Sequence, residues 1–115
     1  MSEIKELTEK LHQFRVDRDW VQFHKPKDIA LSMTLEAAEV LEHFQWKTDE
    51  EIQEYVRSNK DDLAEELADV FNWVLLMSRD IGINIIEASH KKIEQNNKKY
   101  PVEKAKGNKK KYTEL

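Results

Sequence analysis

Two stretches of helical, largely apolar sequence each carry a pair of acids three residues apart. Glu36 and Glu39 lie within Leu35-Glu36-Ala37-Ala38-Glu39-Val40-Leu41, and Glu66 and Asp69 lie within Leu63-Ala64-Glu65-Glu66-Leu67-Ala68-Asp69-Val70. At a period of 3.6 residues this spacing puts both carboxylates of a pair on one helix face. Packing the two helices together makes a four-carboxylate cluster. Ionised groups are seldom buried unless they are paired or hold a metal, and unit charges about 4 Å apart repel by roughly 4 kcal/mol at an effective dielectric of about 20. A hard divalent cation relieves that repulsion, and oxygen-only ligands favour Mg²⁺, Mn²⁺ or Ca²⁺ over zinc. The other reading is that these are solvated acids on amphipathic helices.

The rest of the chain agrees with helices throughout. Two glycines, two prolines and 37% charged residues in 115 positions predict one all-α domain. The absence of cysteine excludes a disulfide framework, a thiolate metal site and a cysteine nucleophile. The opening Met-Ser-Glu-Ile-Lys-Glu-Leu is charged where a signal peptide needs an apolar core, and no apolar run approaches transmembrane length. The expectation is a cytoplasmic protein with no membrane contact. Net charge is -4, but residues 98–115 hold seven lysines against two glutamates, which leaves -9 for residues 1–97. An acidic body repels a phosphate backbone, so no nucleic-acid partner is expected. The lysine-rich segment is either a solvated chain end or a phosphate-seeking arm. The domain reading is therefore a single all-α domain over 1–97 and a basic tail over 98–115.

In chain order, Ser2 caps a first helix to about Asp17 with Ile4, Leu7, Leu11 and Phe14 as its buried stripe. Pro26 suits the first turn of the next helix, which leaves Trp20, Phe23 and His24 on a connector. That connector either plugs the core or lines a pocket for a flat ligand, and the residues alone favour the plug. The second helix, to about Phe44, is apolar nearly all round and is expected to be central. Its His43 shares a face with Glu36 and reads as structural. Thr48 and Glu51 form a capping box for a short polar helix to about Val56. A long fourth helix starts at Ser58 or Asn59 and ends at Gly82, and Asn84 with Glu87 begins a fifth, to about Asn97. On the fifth, Ile85, Ile86 and Ile93 are expected to face inward, and Lys92 and Asn96 share a face.

These landmarks resemble the MazG-like, all-α nucleoside triphosphate pyrophosphohydrolases, and within them the dCTP pyrophosphatase branch. The likeness rests on Trp20-Val21-Gln22-Phe23-His24-Lys25-Pro26, Glu36-Ala37-Ala38-Glu39, Phe44-Gln45-Trp46-Lys47, Glu65-Glu66-Leu67-Ala68-Asp69-Val70, Asn96 through Tyr100-Pro101, and Lys111-Tyr112-Thr113-Glu114-Leu115. One departure is that the family often has Gly-Glu-x-Gly-Glu where this chain has Leu35-Glu36-Ala37-Ala38-Glu39. Both carboxylates survive and both glycines become bulkier residues.

The resemblance implies a four-helix-bundle-type fold with a short extra helix, and that the domain over 1–97 is catalytic. It implies that Glu36, Glu39, Glu66 and Asp69 bind Mg²⁺, with Mn²⁺ a substitute, and that Glu36 or Glu39 is the catalytic base. It places Trp20, His24, Trp46 and Trp73 in a base pocket, which overturns the plug reading of the connector. Lys92, Asn96 and Tyr100 match positions that contact phosphates or sugar. The implied partners are a nucleoside triphosphate, with dCTP or a related pyrimidine nucleotide foremost, and further copies of the chain, usually a tetramer built from dimers. Two rival readings remain. A di-iron carboxylate bundle needs Glu-x-x-His on two helices, and only Glu87-Ala88-Ser89-His90 has that form. A nonenzymatic helical interaction module keeps the fold without turnover.

Overall fold

The structure is a computed structural model that describes residues 2–115, and among those residues it is helical with no strand. Six α-helices follow in order: α1 (Glu3–Asp17), α2 (Pro26–Glu42), α3 (Asp49–Ser58), α4 (Lys60–Ile81), α5 (Ile85–Lys99) and the single turn α6 (Val102–Ala105). Short 3-10 turns occupy Val21–Phe23 and Tyr112–Glu114.

Most helix ends follow from local chemistry. The Ser2 hydroxyl accepts from the Lys5 N–H, the Thr48 hydroxyl from the Glu51 N–H, and the Asn84 side chain from the Glu87 N–H. Each satisfies a first-turn donor that has no partner inside its helix. Glu51 reaches back to accept from the Thr48 N–H, so the capping box is complete. Pro26 opens α2, where its missing N–H costs nothing. Gly82 ends α4 at φ +75°, a left-handed geometry that glycine adopts without a Cβ penalty.

The chain divides into two compact units, 1–82 and 83–115. In the first, α4 is the hub on which α1, α2 and α3 all pack. This corrects the expectation that α2 is central. Leu31, Leu35 and Leu41 of α2 are each more than half exposed, because α2 turns only one face to α4. The core of this unit is Ile29 of α2 with Leu63, Leu75 and Leu76 of α4. The two helices run antiparallel: His24, just before α2, meets Trp73, whereas His43 at its far end meets Glu66.

The buried face of α1 is also rotated from expectation. Phe14 is 47% exposed and Arg15 is 1% exposed. Arg15 can be buried because it forms a two-pronged pair with Asp80 of α4: Nη1 donates to Oδ2 and Nη2 to Oδ1, both at 2.9 Å. Phe14 instead stacks outside with Arg18, whose guanidinium carbon lies 3.6 Å from the ring centre, and meets Trp20 edge-on.

The second unit holds α5, α6 and the lysine-rich segment. Ile85 is half-buried, but Ile86 and Ile93 are exposed, against the inward orientation expected for them. Tyr100 meets Tyr112 edge-on at 6.1 Å, and Lys99 lies over the Tyr112 ring.

Candidate metal centre and cavity

The antiparallel packing of α2 on α4 brings the two acid pairs face to face. One carboxylate oxygen from each of Glu36, Glu39, Glu66 and Asp69 lies within 4.8 Å of the other three. Glu36 and Glu66 are half-buried, while Glu39 and Asp69 are exposed.

The electrostatic cost is visible in the carboxyls. Burial, then a hydrogen bond with Glu39 and the charges of Glu39, Asp69 and Glu66, pushes Glu36 from the usual 4.5 up to about 7. Glu66 is raised as well, first by a hydrogen bond with Glu39, while the nearby His43 pulls it the other way. The Oε2 atoms of both Glu36 and Glu66 are buried without any hydrogen-bond partner. Two orphaned oxygens in an all-oxygen set of four fit a hard divalent cation, which accepts carboxylate ligands and keeps room for water or phosphate. The set contains no histidine, and His90 of the Glu-x-x-His element lies outside it, so its donors do not match the di-iron pattern.

A cavity of about 410 Å³ opens from this cluster, lined by Glu36 and Asp69 at the acidic end. Its other walls include Trp20, His24, Trp73, Asn72 and Arg15. The connector therefore lines a pocket and does not plug the core. His24 and Trp73 meet edge-on with ring centres 5.1 Å apart. Burial, then the Arg15 charge, lowers the His24 pKa, so the ring is neutral at physiological pH. Its Nδ1 is buried and unpartnered, as is the Arg15 Nε. Arg15 and Asn72 are cavity residues that the sequence reading missed. A signal existed for Arg15: it continues the Thr8, Leu11 face of α1, where an arginine demands a counter-charge.

The other expected site residues are not among those that line this cavity. Trp46 is 92% exposed and is not in its lining. Its backbone sits at φ +69°, in the left-handed region that a bulky side chain rarely adopts. Lys92 and Asn96 lie four apart on α5, with Tyr100 its C-cap, all in the second unit and all exposed.

Comparison with known proteins agrees with this architecture. The profile of the MazG-like family matches residues 31–115. Curated relatives called dCTP pyrophosphatase 1, from Bos taurus and Homo sapiens, are 35% and 36% identical over 109 residues, or 92% of this chain. The chain spans 64% of the length of each. A crystal structure of a pyrophosphatase from Archaeoglobus fulgidus superposes with a TM-score of 0.83 at 39% identity, covering 88% of this chain and 94% of that one. With the family profile extending over both acid pairs and on to the last residue, the chain belongs to the MazG-like family.

Proposed function

We propose that this protein is a Mg²⁺-dependent nucleoside triphosphate pyrophosphohydrolase acting on dCTP or a related pyrimidine nucleotide, releasing the monophosphate and pyrophosphate. The observation that carries the reading is the juxtaposition of a four-carboxylate cluster with an aromatic-walled cavity, shared by Glu36 and Asp69. The names of the relatives favour the same chemistry and suggest the base.

Glu36, Glu39, Glu66 and Asp69 would hold the metal. When bound, the cation supplies charge neutralisation for the triphosphate and lowers the pKa of the attacking water. Glu36 or Glu39 takes the proton as water attacks the α-phosphorus. Trp20 and Trp73 offer stacking faces for a base, worth about 1 to 3 kcal/mol but tolerant of base identity. Discrimination falls to edge contacts, for which the unpartnered His24 Nδ1 is suited. Lys92, Asn96 and Tyr100 are assigned to the phosphates and sugar on the family likeness. The exposed Leu31, Leu35, Leu41, Leu67 and Phe71 fit a homo-oligomer, and a tetramer is the reading carried from the family. Trp46, exposed and absent from the cavity lining, is assigned to the base pocket on the family likeness. A cytoplasmic location goes with a nucleotide-pool enzyme, and among the described residues no helix is long and apolar enough to cross a membrane.

Assaying the protein with Mg²⁺ against all common nucleoside triphosphates, with monophosphate, pyrophosphate and orthophosphate measured separately, tests this. The expected result is fastest turnover of dCTP to dCMP and pyrophosphate. Orthophosphate as the product would refute the reaction. No turnover of any nucleotide would favour the nonenzymatic module.

A further inference from the structure

His43, read from the sequence as structural, sits where three helices meet beside the acidic cluster. As the C-cap of α2, its ring lies between the Tyr55 hydroxyl of α3, in contact with Nδ1, and Glu66 of α4, whose Oε1 is 3.7 Å from Nε2. Tyr55 is itself clamped by an edge-on contact with Phe44 and by Lys47, whose ammonium lies 4.4 Å from the ring centre. The ring of His43 is therefore held from behind and faces the carboxylate.

We propose that His43 is a positioning residue for the metal centre, holding Glu66 Oε1 through an Nε2–H so that Glu66 Oε2 is left to bind the cation. The inference rests on the metal-binding reading of the cluster. The tautomer follows from the neighbours. A carboxylate only accepts, so Nε2 must carry the hydrogen. Nδ1 is then the acceptor, and the Tyr55 hydroxyl donates to it. At 3.7 Å the Glu66 contact is longer than a hydrogen bond, and on this proposal the carboxylate turns towards Nε2–H as the cation binds. A ligand carboxylate keeps its orientation through a donor on the oxygen that the cation does not take. His43 offers a donor that does not compete for the ligand set. Glu66 Oε2, buried and without a partner, is the oxygen this arrangement frees. Hydrogen-bonded partners of ligand carboxylates commonly change metal affinity by about 10- to 100-fold.

The test is a thermal-unfolding titration with MgCl₂ of the wild type, His43→Leu, His43→Gln and Tyr55→Phe, each measured from its own metal-free baseline. A loss of packing moves the baseline, whereas the Mg²⁺ concentration at which stability begins to rise above it is set by Kd, through RT ln(1 + [Mg²⁺]/Kd). His43→Leu is expected to raise that concentration about tenfold. His43→Gln, whose amide places an N–H near the position of Nε2, should recover most of the loss, and Tyr55→Phe should fall between. Turnover of His43→Leu should return towards the wild-type value at saturating Mg²⁺. If the wild type shifts with Mg²⁺ and His43→Leu titrates at the same concentration, the positioning role is wrong while the metal centre stands. A wild type that does not respond to Mg²⁺ overturns both. Should His43→Leu not fold, Tyr55→Phe keeps every ring contact, and an unchanged concentration there would overturn the relay.

Discussion

α4 carries two clusters of charge, and they are built on opposite principles. Near its C-terminal end Asp80 receives the Arg15 guanidinium through two 2.9 Å bonds, with Arg79 adding a third. Near its middle Glu66 and Asp69 face two more acids with no cation of their own. The hydrogen bonds from Arg15 hold the Asp80 carboxyl below its usual range, whereas Glu36 and Glu66 are pushed above theirs. A fully answered charge stabilises the packing of α1 on α4. An unanswered one raises the carboxyl pKa until a proton or a bound cation relieves the repulsion, and that contrast marks the acidic cluster as the candidate site.

The sharpest break is at the answered pair. Asp80→Asn leaves a guanidinium buried beside α4 without a counter-charge, and breaking such a pair from one side costs about 3 to 5 kcal/mol. Urea unfolding should register a loss of that size, and a cost under about 1 kcal/mol would mean the pair is incidental. The same removal of one charge in the acidic cluster should behave in reverse. Glu39→Gln, Glu66→Gln and Asp69→Asn are each expected to lose at least about a hundredfold in turnover while leaving metal-free stability unharmed. Glu65→Gln, one residue from Glu66 but turned about 100° away and exposed, should be far milder. Equal damage at Glu65 and Glu66 would put the second acid pair in the wrong register.

The two clusters were not equally legible in the sequence. Acids three apart on one helix are fixed by helical period alone, so Glu36, Glu39, Glu66 and Asp69 were readable before any fold was known. The caps at Thr48 and Gly82 were readable for the same reason, since their chemistry is local. Arg15 and Asp80 are 65 residues apart, and no local rule links them. The hub was misplaced because uniform apolarity in α2 does not distinguish a buried face from the exposed Leu31, Leu35 and Leu41. The His43 contacts with Tyr55 and Glu66 and the left-handed backbone of Trp46 depend on how α2 ends and turns into α3, which periodicity does not describe.

The smallest expected effect lies in the pH dependence of stability, where the two clusters pull in opposite directions. An unfolded Glu36 ionises near 4.5 and a folded one near 7. Below about pH 4.5 both states are protonated and the cluster costs nothing. Between those values the folded state keeps a proton that the unfolded state has lost, so metal-free stability falls as pH rises and levels off above about 7. Glu66, also raised, adds to the same fall. Asp80 has the opposite sign: its depressed pKa contributes stability that is present above the usual 3.8 and is lost as pH drops through the lower folded value. Metal-free protein should therefore be most stable near pH 4 to 5 and weaken towards neutrality. Because Glu36 is only half-buried, the fall it causes should be on the order of 1 kcal/mol, or roughly 5 °C in Tm. Glu36→Gln should flatten that fall and leave the acid limb set by Asp80 untouched, and saturating Mg²⁺ should flatten it in the wild type. Thermal scans of both proteins in chelator from pH 3 to 8 measure this directly. Parallel curves above pH 5 would mean that Glu36 ionises normally, and the contrast between the two ends of α4 would then rest on Asp80 and Glu66 alone.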